Sequence, residues 1–329
     1  MKRHRNQIHI LILEATHHAY DVIVYKSNDE GRARIFLKYS VVLILCLVLI
    51  NSCFSGDRTT GHLENPKLKL SINPRVANAP TGSDFITRIE PMELPQREQA
   101  ILDEILQDNI PGFLRNLVAV TTSLSIEQTR YNLTFYVVPD YLSIGSNADH
   151  ILMPMTPMLA QKVVEQLGGI LPTRKMVDLI WEASDIKLTP QPIPPSLAMV
   201  SVAVFRMHNS MVETSRAEFT TEYPLGSLVS GHKKDVILSN RIASKPDKVI
   251  IYGWHQPNGK PIQPLYSGHV NWYADYSHGI RVVLNQCLLN DSIVDISNIL
   301  TDPLLYQLLS DEEGAMETTR YDTSWSNYP

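Results

Sequence analysis

The chain has 329 residues, of which 44% are hydrophobic and 19% are charged, as in a globular protein of one large or two ordinary domains. Its net charge at pH 7 is −5. Without residues 1–52, 22 basic and 30 acidic residues remain, a net charge of −8 that argues against nucleic acid as a partner. In that remainder only Cys53 and Cys287 are cysteines. We expect lipid on the first and burial of the second, which excludes an intrachain disulfide and a cysteine zinc cluster.

A secretory signal is predicted near the N-terminus. Arg32, Arg34 and Lys38 precede the apolar residues 39–50. This run of about 12 residues is too short to span a bilayer core of about 30 Å. Residues 1–31 fit no signal peptide, and we expect translation to begin near Ile35.

The sequence Leu49-Ile50-Asn51-Ser52-Cys53 resembles the lipobox of bacterial lipoproteins. The resemblance implies cleavage before Cys53 and acyl chains on that residue. It also implies an extracytoplasmic place in the bacterial cell envelope, with the membrane as a partner through the lipid on Cys53.

Three parts are predicted for the chain after the signal. Residues 53–94 are rich in polar residues and proline, which favours an extended tether; the alternative is a strand or two on the domain edge, around Leu68, Leu70 and Ile72. Residues 95–311 are expected to form one domain. Residues 312–329 are polar and predict a frayed tail.

Helices dominate the first half of the predicted domain. One helix is expected to begin at Pro95 and to end before Pro111. Strands are predicted over residues 117–120 and 133–138. Thr156 is the predicted N-cap of a helix that ends at Gly168, and a second helix is predicted to start at Leu171-Pro172-Thr173.

Strands dominate the second half. Residues 200–205, 236–238, 249–252 and 280–284 have the apolar patterns of strands. The segment Pro257-Asn258-Gly259 predicts a hairpin turn, and Asn290-Asp291 is expected to join strand 280–284 to strand 293–296. Because helices and strands do not alternate regularly, the predicted class is α+β, a single domain with a mainly antiparallel sheet and several flanking helices.

Residues 231–281 contain an unusual density of reactive side chains between strand-like runs. We therefore predict a functional site there. The candidate catalytic residues are His269, Asp275, Ser277 and His278. The candidate substrate-binding residues are His232, Lys234, Trp254, His255, Trp272, Tyr276 and Arg281.

A metal site is one chemical interpretation of these residues. His255, His269, Asp275 and His278 are ligand types that suit zinc, which needs three of them and an open position for water. Their arrangement is loosely similar to zinc peptidases of the D-alanyl-D-alanine carboxypeptidase type. In this chain, however, the Trp-His pair precedes the His and Asp instead of following them, and the His-to-Asp gap differs.

Two metal-free mechanisms are also open. Ser277 is a candidate nucleophile that would need His232, His255 or His269 as its base. Alternatively, Asp275 orients His278, His269 carries protons, and Lys234 or Arg281 stabilises an anion.

The aromatic side chains in the same window favour a glycan or a peptidoglycan fragment as ligand, because flat rings stack on sugars. The predicted function is therefore a lipid-anchored hydrolase of a cell-envelope or glycan-type substrate. The alternative is a glycan- or solute-binding lipoprotein without turnover. A structural interpretation also stays open, since histidines at strand ends and alternating aromatic residues are common in ordinary cores.

Overall fold

The computed structural model describes the backbone of residues 8–14 and 20–26 and the whole of residues 68–324. The chain divides into two compact units, Met1–Glu64 and Asn65–Pro329. In the first unit, β1 (Ile8–Glu14) pairs with β2 (Tyr20–Lys26) in antiparallel orientation. The apolar stretch 39–50 and Cys53 lie outside the described residues, so the signal and the lipid site stay predictions.

Four of the seven helices described in the second unit begin directly after a residue whose side chain caps them. The seven helices are α1 (Gly82–Ile89), α2 (Leu94–Leu106), α3 (Pro157–Gln166), α4 (Arg174–Ala183), α5 (Val202–Ala217), α6 (Arg241–Ser244) and α7 (Ile296–Thr301). The hydroxyls of Thr156 and Thr173 accept from the third helical N–H, which confirms the predicted N-cap at Thr156 and the predicted helix start at residues 171–173. None of the helices in the described part of the chain combines the length and apolar character needed to cross a membrane.

Two larger sheets carry most of the strands. The six-stranded sheet contains β3 (Val118–Ile126), β4 (Thr129–Val137), β7 (Gly169–Ile170), β14 (Val283–Leu284), β15 (Gln286–Leu289) and β16 (Ser292–Asp295), in the order β16-β15-β4-β14-β7 with β3 also paired to β4. The four-stranded sheet has the order β12-β11-β10-β13, formed by Pro261–Tyr266, Ile251–His255, Lys234–Val236 and His278–Gly279.

Two small pairs complete the strands: β5 (Ser143–Gly145) with β6 (His150–Leu152), and β8 (Ile186–Lys187) with β9 (Val229–Ser230). Only β10 with β13 and β8 with β9 are parallel among the strand pairs described. The predicted α+β class with a mainly antiparallel sheet is therefore confirmed.

One continuous apolar core joins both larger sheets to α1 through α5. It includes Phe85 of α1, Val163 of α3, Phe205 of α5, Phe135 of β4 and Ile251 of β11. Full burial of side chains of this size stabilises a fold by about 1.5 to 3 kcal/mol each. The shared core makes residues 68–324 one domain.

The predictions of a tether and of a frayed tail are wrong for the described residues. Within the expected tether, Leu70 is buried and α1 contributes its apolar face to the core. A capping box begins α1, since Thr81 and Asp84 each accept a hydrogen bond from the other's backbone N–H. Within the expected tail, the Tyr321 hydroxyl donates to Ile237 O and accepts from Ile250 N. The domain therefore extends from residue 68 to at least residue 321.

The prediction of a strand over residues 200–205 is also wrong. Ser201 accepts a hydrogen bond from Val204 N–H and caps α5, which continues to Ala217. The short window alternates like a strand, but the buried positions of the whole helix, from Val202 to Phe205 and on to Val212, follow the helical period. The longer pattern decides the structure.

The turn at Asn290 and Asp291 lies where it was predicted, with φ of +46° and +66°. Its first strand is β15, however, and not residues 280–284. Of those residues, Val283 and Leu284 form β14, and residues 280–282 lie in a buried loop that precedes it. The predicted hairpin at residues 257–259 is confirmed by the pairing of β11 with β12.

Candidate functional site

The parallel pair of β10 and β13 assembles the centre of the predicted window. Lys234 lies opposite His278 on one side and opposite Gly253 of β11 on the other. Paired residues of neighbouring strands present their side chains to the same face of a sheet. Lys234 and His278 therefore share a face, and Asp275 precedes His278 by one tight turn in which His278 N–H donates to Asp275 O.

Asp275 is a fixed carboxylate. Its Oδ1 accepts from the N–H and the hydroxyl of Ser277, at 2.8 and 2.5 Å, and its Oδ2 accepts from the Tyr273 hydroxyl at 3.1 Å. Burial alone would raise the pKa of Asp275, but His278, Lys234 and the Ser277 hydrogen bonds lower it to about 2. The group is therefore ionised at neutral pH.

His278 is a buried imidazole, 1% exposed, and neither ring nitrogen has a hydrogen-bond partner among the described residues. Buried polar atoms are rarely left in this state. Burial first, and then Lys234 and His269, lower the pKa of His278 to about 4, although Asp275 opposes this. The ring is neutral at pH 7, and Tyr273 stands edge-on to it at 5.8 Å.

Lys234 places its ammonium 5.0 Å from the centre of the Trp254 ring. In the described part of the chain it forms no ion pair or hydrogen bond through Nζ, and burial lowers its pKa while Asp275 raises it. We call Lys234, Trp254, Asp275 and His278 the inner cluster. Its only carboxylate already accepts hydrogen bonds at both oxygens, so the unpartnered polar groups of the inner cluster are on Lys234, Trp254 and His278.

Four side chains lie further out, and we call Tyr266, His269, Trp272 and Tyr273 the rim. His269 stacks on Tyr273 with ring centres 4.2 Å apart and meets Tyr266 at 5.1 Å. Tyr266 is 41% exposed and Trp272 37% exposed. Burial is the largest cause that lowers the pKa of the half-buried His269. The rim connects the inner cluster to solvent.

His232 and Arg281, predicted to bind substrate, belong instead to a buried charge network. His232 Nε2 is 3.0 Å from Asp140 Oδ1, and Arg216 Nη1 is 2.6 Å from Asp140 Oδ2. Arg281 donates to the carbonyls of Val138 and Val229. These buried side chains bond to one another or to backbone carbonyls, so they hold the fold together.

Three more predicted site residues also have structural partners. Tyr276 is buried and accepts a hydrogen bond from Ile193 N–H. Ser277 donates its hydroxyl to Asp275 and not to a histidine, which leaves the serine mechanism without its base. His255 pairs through Nε2 with Asp178 of α4, away from the inner cluster.

Sequence reasoning missed a buried lysine. Lys233 Nζ is 3.2 Å from His208 Nδ1 and donates to Tyr276 O at 2.5 Å, and no carboxylate lies within ion-pair distance among the described residues. Burial lowers the pKa of Lys233 to about 7, although Asp275 and Asp140 counteract it. The only signal for Lys233 in the sequence is its position beside Lys234, with which it forms a basic pair. The helix that supplies His208 was itself predicted as a strand at its start.

A metal site is not formed by these residues. Across residues 68–324, no three His, Cys, Asp or Glu side chains converge in a way that could hold a metal ion. His255, His269, Asp275 and His278 therefore do not make up the ligand set that the zinc interpretation requires.

Gly231 sets the entry of the chain into β10. Its φ is +96°, and a Cβ there would lie 2.2 Å from Leu188 O. Gly226 has a similar φ of +102° with open space around it. We expect Gly231→Ala to lower the free energy of unfolding by about 3 kcal/mol or more, and Gly226→Ala by only about 1 kcal/mol, since the latter adds backbone strain alone. Urea denaturation measures both, and equal losses would contradict the close contact.

Comparison with known proteins assigns the chain to no family. No family model matches the chain, and neither a curated protein nor a solved structure matches it.

Proposed function

We propose that the protein is a lipid-anchored hydrolase of the bacterial cell envelope that cleaves a glycan-type substrate without a metal, at the inner cluster. The observation that carries the proposal is the state of His278, a neutral imidazole with two unpartnered ring nitrogens beside an ammonium and a carboxylate. Strongly perturbed titratable groups that gather in one place are typical of active sites. His232 of the buried charge network, by contrast, has only Nδ1 unpartnered, because its Nε2 pairs with Asp140.

The chemistry follows from the charges. Neutral His278 accepts a proton from water while the water oxygen bonds to the substrate carbon, and the bond to the leaving oxygen breaks. Asp275 stabilises the imidazolium formed, as its effect on the pKa of His278 indicates. Lys234 stabilises the negative charge on the leaving oxygen, which then takes the proton from His278.

The rim supports a glycan as the substrate class. Exposed Tyr266, beside His269, and exposed Trp272, next to Tyr273 in the sequence, offer flat apolar faces, and sugar rings stack on such faces. Tyr273 covers His278, so the substrate would reach the imidazole when the Tyr273 ring turns aside. The envelope location rests on the lipobox-like sequence that ends at Cys53.

A glycan-binding lipoprotein without turnover is the second candidate. The burial of His278 favours it, because the exposed surface of the site then consists of rim residues alone. In that case Tyr266 and Trp272 would carry the affinity.

The test measures turnover of peptidoglycan and of a panel of polysaccharides as the release of reducing ends. We expect His278→Gln and Lys234→Met to lower kcat by at least 100-fold. The wild-type rate should fall as the pH drops through about 4, where His278 becomes protonated. His150→Gln is the matched control, a histidine on β6 outside the inner cluster and the rim.

The outcomes separate the two candidates. Undiminished turnover in His278→Gln would remove the mechanism. Saturable binding without turnover, lost in Trp272→Ala and Tyr266→Ala, would establish the binding protein in its place.

A further inference from the structure

A recess lies between α7 and the hairpin of β15 and β16. It is a cavity of about 410 Å³ and shares no lining residue with the inner cluster or the rim. Its apolar lining includes Leu289, Ile293 and Leu305, and Ile293 is exposed to solvent. This volume falls in the range of ligand sites, which combine apolar walls with a few polar groups.

The polar lining of this cavity is largely unused. The side chains of Gln286, Asp295 and Asn298 make no hydrogen bond or ion pair within the described residues. Asp302 uses Oδ1 to accept from Leu304 N–H and Leu305 N–H, and its Oδ2 has no partner in residues 68–324. No lysine or arginine is among the described residues that line the cavity, so its two carboxylates give it a negative charge.

The strand beside the cavity is open for pairing. β16 is the last strand of the six-stranded sheet, and in the described part of the chain it pairs with β15 alone. The backbone N–H and C=O groups on its outer edge therefore lack a strand partner. An extended peptide can add to such an edge through main-chain hydrogen bonds, while pockets beside it select side chains.

We propose that the cavity and the free edge of β16 bind an extended peptide with basic side chains and apolar residues between them. The peptide continues the sheet as a further strand. Its cationic groups meet Asp295 and Asp302, and its apolar side chains cover Ile293 and Leu305. This site is independent of the hydrolase proposal, since it uses none of the same residues.

The spacing of the carboxylates sets the sequence of the peptide. Asp295 precedes α7 and Asp302 follows it, seven residues later, which corresponds to about 10 Å along a helix. An extended chain advances about 3.3 Å per residue, and only alternate side chains share a face, so basic residues four positions apart, about 13 Å, face the same cavity, and their flexible side chains cover the difference in length. The preferred pattern is therefore a basic residue, three apolar residues of which the middle one shares the face of the basic residues, and a second basic residue.

The experiment uses the 65–329 unit and the probe peptide acetyl-Lys-Val-Leu-Val-Lys-amide, with titration followed by calorimetry and by backbone NMR. We expect saturable binding with shifts at Ser292 and Ile293. The double variant Asp295→Asn/Asp302→Asn should bind at least tenfold more weakly. Asp291→Asn, in the turn of the same hairpin but outside the cavity, is the charge-matched control and should bind like the wild type.

Two modified peptides make the proposal falsifiable. The glutamine analogue acetyl-Gln-Val-Leu-Val-Gln-amide tests the charges, and a peptide with N-methyl groups on leucine and both valines tests the strand pairing; both should bind at least tenfold more weakly. Equal binding of the glutamine analogue, or an equal loss in Asp291→Asn, would overturn the proposal. A dimer formed through β16 and unaffected by the peptide would identify a second copy as the occupant and would overturn it too.

Discussion

Replacement of Lys233 by methionine is expected to stabilise the fold at pH 6 and to destabilise it at pH 11. The folded protein gives Lys233 a pKa of about 7, against an ordinary value of 10.5. The unfolded chain therefore binds this proton more tightly. Between pH 10.5 and 7 the contribution of Lys233 to stability becomes more unfavourable as the pH falls; it is complete below pH 7 and absent above 10.5.

The two opposing effects of this substitution have different pH dependences. Methionine removes the unfavourable charge burial, on the order of 4 to 5 kcal/mol below pH 7. It also leaves Tyr276 O and His208 Nδ1 without a donor at every pH, which costs about 1 to 3 kcal/mol. The net gain at pH 6 is about 2 kcal/mol, or a rise in Tm of roughly 4 to 8 °C. At pH 11 only the loss remains.

Thermal and urea denaturation at pH 6, 8, 10 and 11 measures the change from stabilisation to destabilisation of the Lys233→Met variant. Lys260→Met is the control, because Lys260 is exposed and should leave the pH dependence unchanged. A Lys233→Met protein less stable than the wild type at pH 6 would show that the lysine does not carry the unfavourable charge. A stabilised variant would show instead that Lys233 is maintained at the expense of stability, as expected of a group that serves function.

The second large effect concerns Asp140, whose carboxylate is bonded to both His232 and Arg216. Burial alone would raise its pKa, but His232, Arg216 and Arg281 hold it well below the usual value. We expect Asp140→Asn to lower the free energy of unfolding by about 3 to 5 kcal/mol, because Arg216 and Arg281 are then left without their buried counter-charge. Urea denaturation measures the loss.

The loss from Asp140→Asn should be present throughout the neutral range and down to about pH 4, since a carboxylate with a lowered folded pKa contributes above its unfolded pKa. Replacing both partners, in Asp140→Leu/Arg216→Met, should cost less than the sum of the single changes. Glu90→Gln is the control: Glu90 and Arg206 form an exposed pair at 2.9 Å that contributes less than about 1 kcal/mol. Additive losses at Asp140 and Arg216 would contradict the coupling.

Local signals in the sequence predicted those elements whose ends are set by local hydrogen bonds. Thr156 and Thr173 cap helices, and Gly259 lies in a hairpin turn, because each effect needs only neighbouring residues. The capping box of Thr81 and Asp84 is an equally local signal, and it identifies α1 within the region predicted as a tether. The start of α5 was mistaken because a six-residue window satisfies both the strand and the helix periods.

The candidate site could be predicted only in part. Lys234, Asp275 and His278 meet as expected, because two short strands of the same window pair with each other. The partners that change the roles of their neighbours come from far away: Asp140 is 92 residues from His232, and Asp178 is 77 residues from His255. No local pattern encodes such pairs, so a histidine of the charge network could not be told apart from one at the site.

The burial of Cys287 in β15 gives the domain an internal reporter of its own opening. The thiol is inaccessible, and burial raises its pKa to about 12, so a disulfide reagent has neither a path to the sulfur nor a thiolate to attack while β15 is in place. In a chain with Cys46 and Cys53 replaced by serine, the rate at which Cys287 is labelled therefore measures how often the sheet opens around β15. Because β15 lies between β4 and β16, the labelling rate of Cys287 would also show whether a peptide bound to the outer edge of β16 makes this opening less frequent.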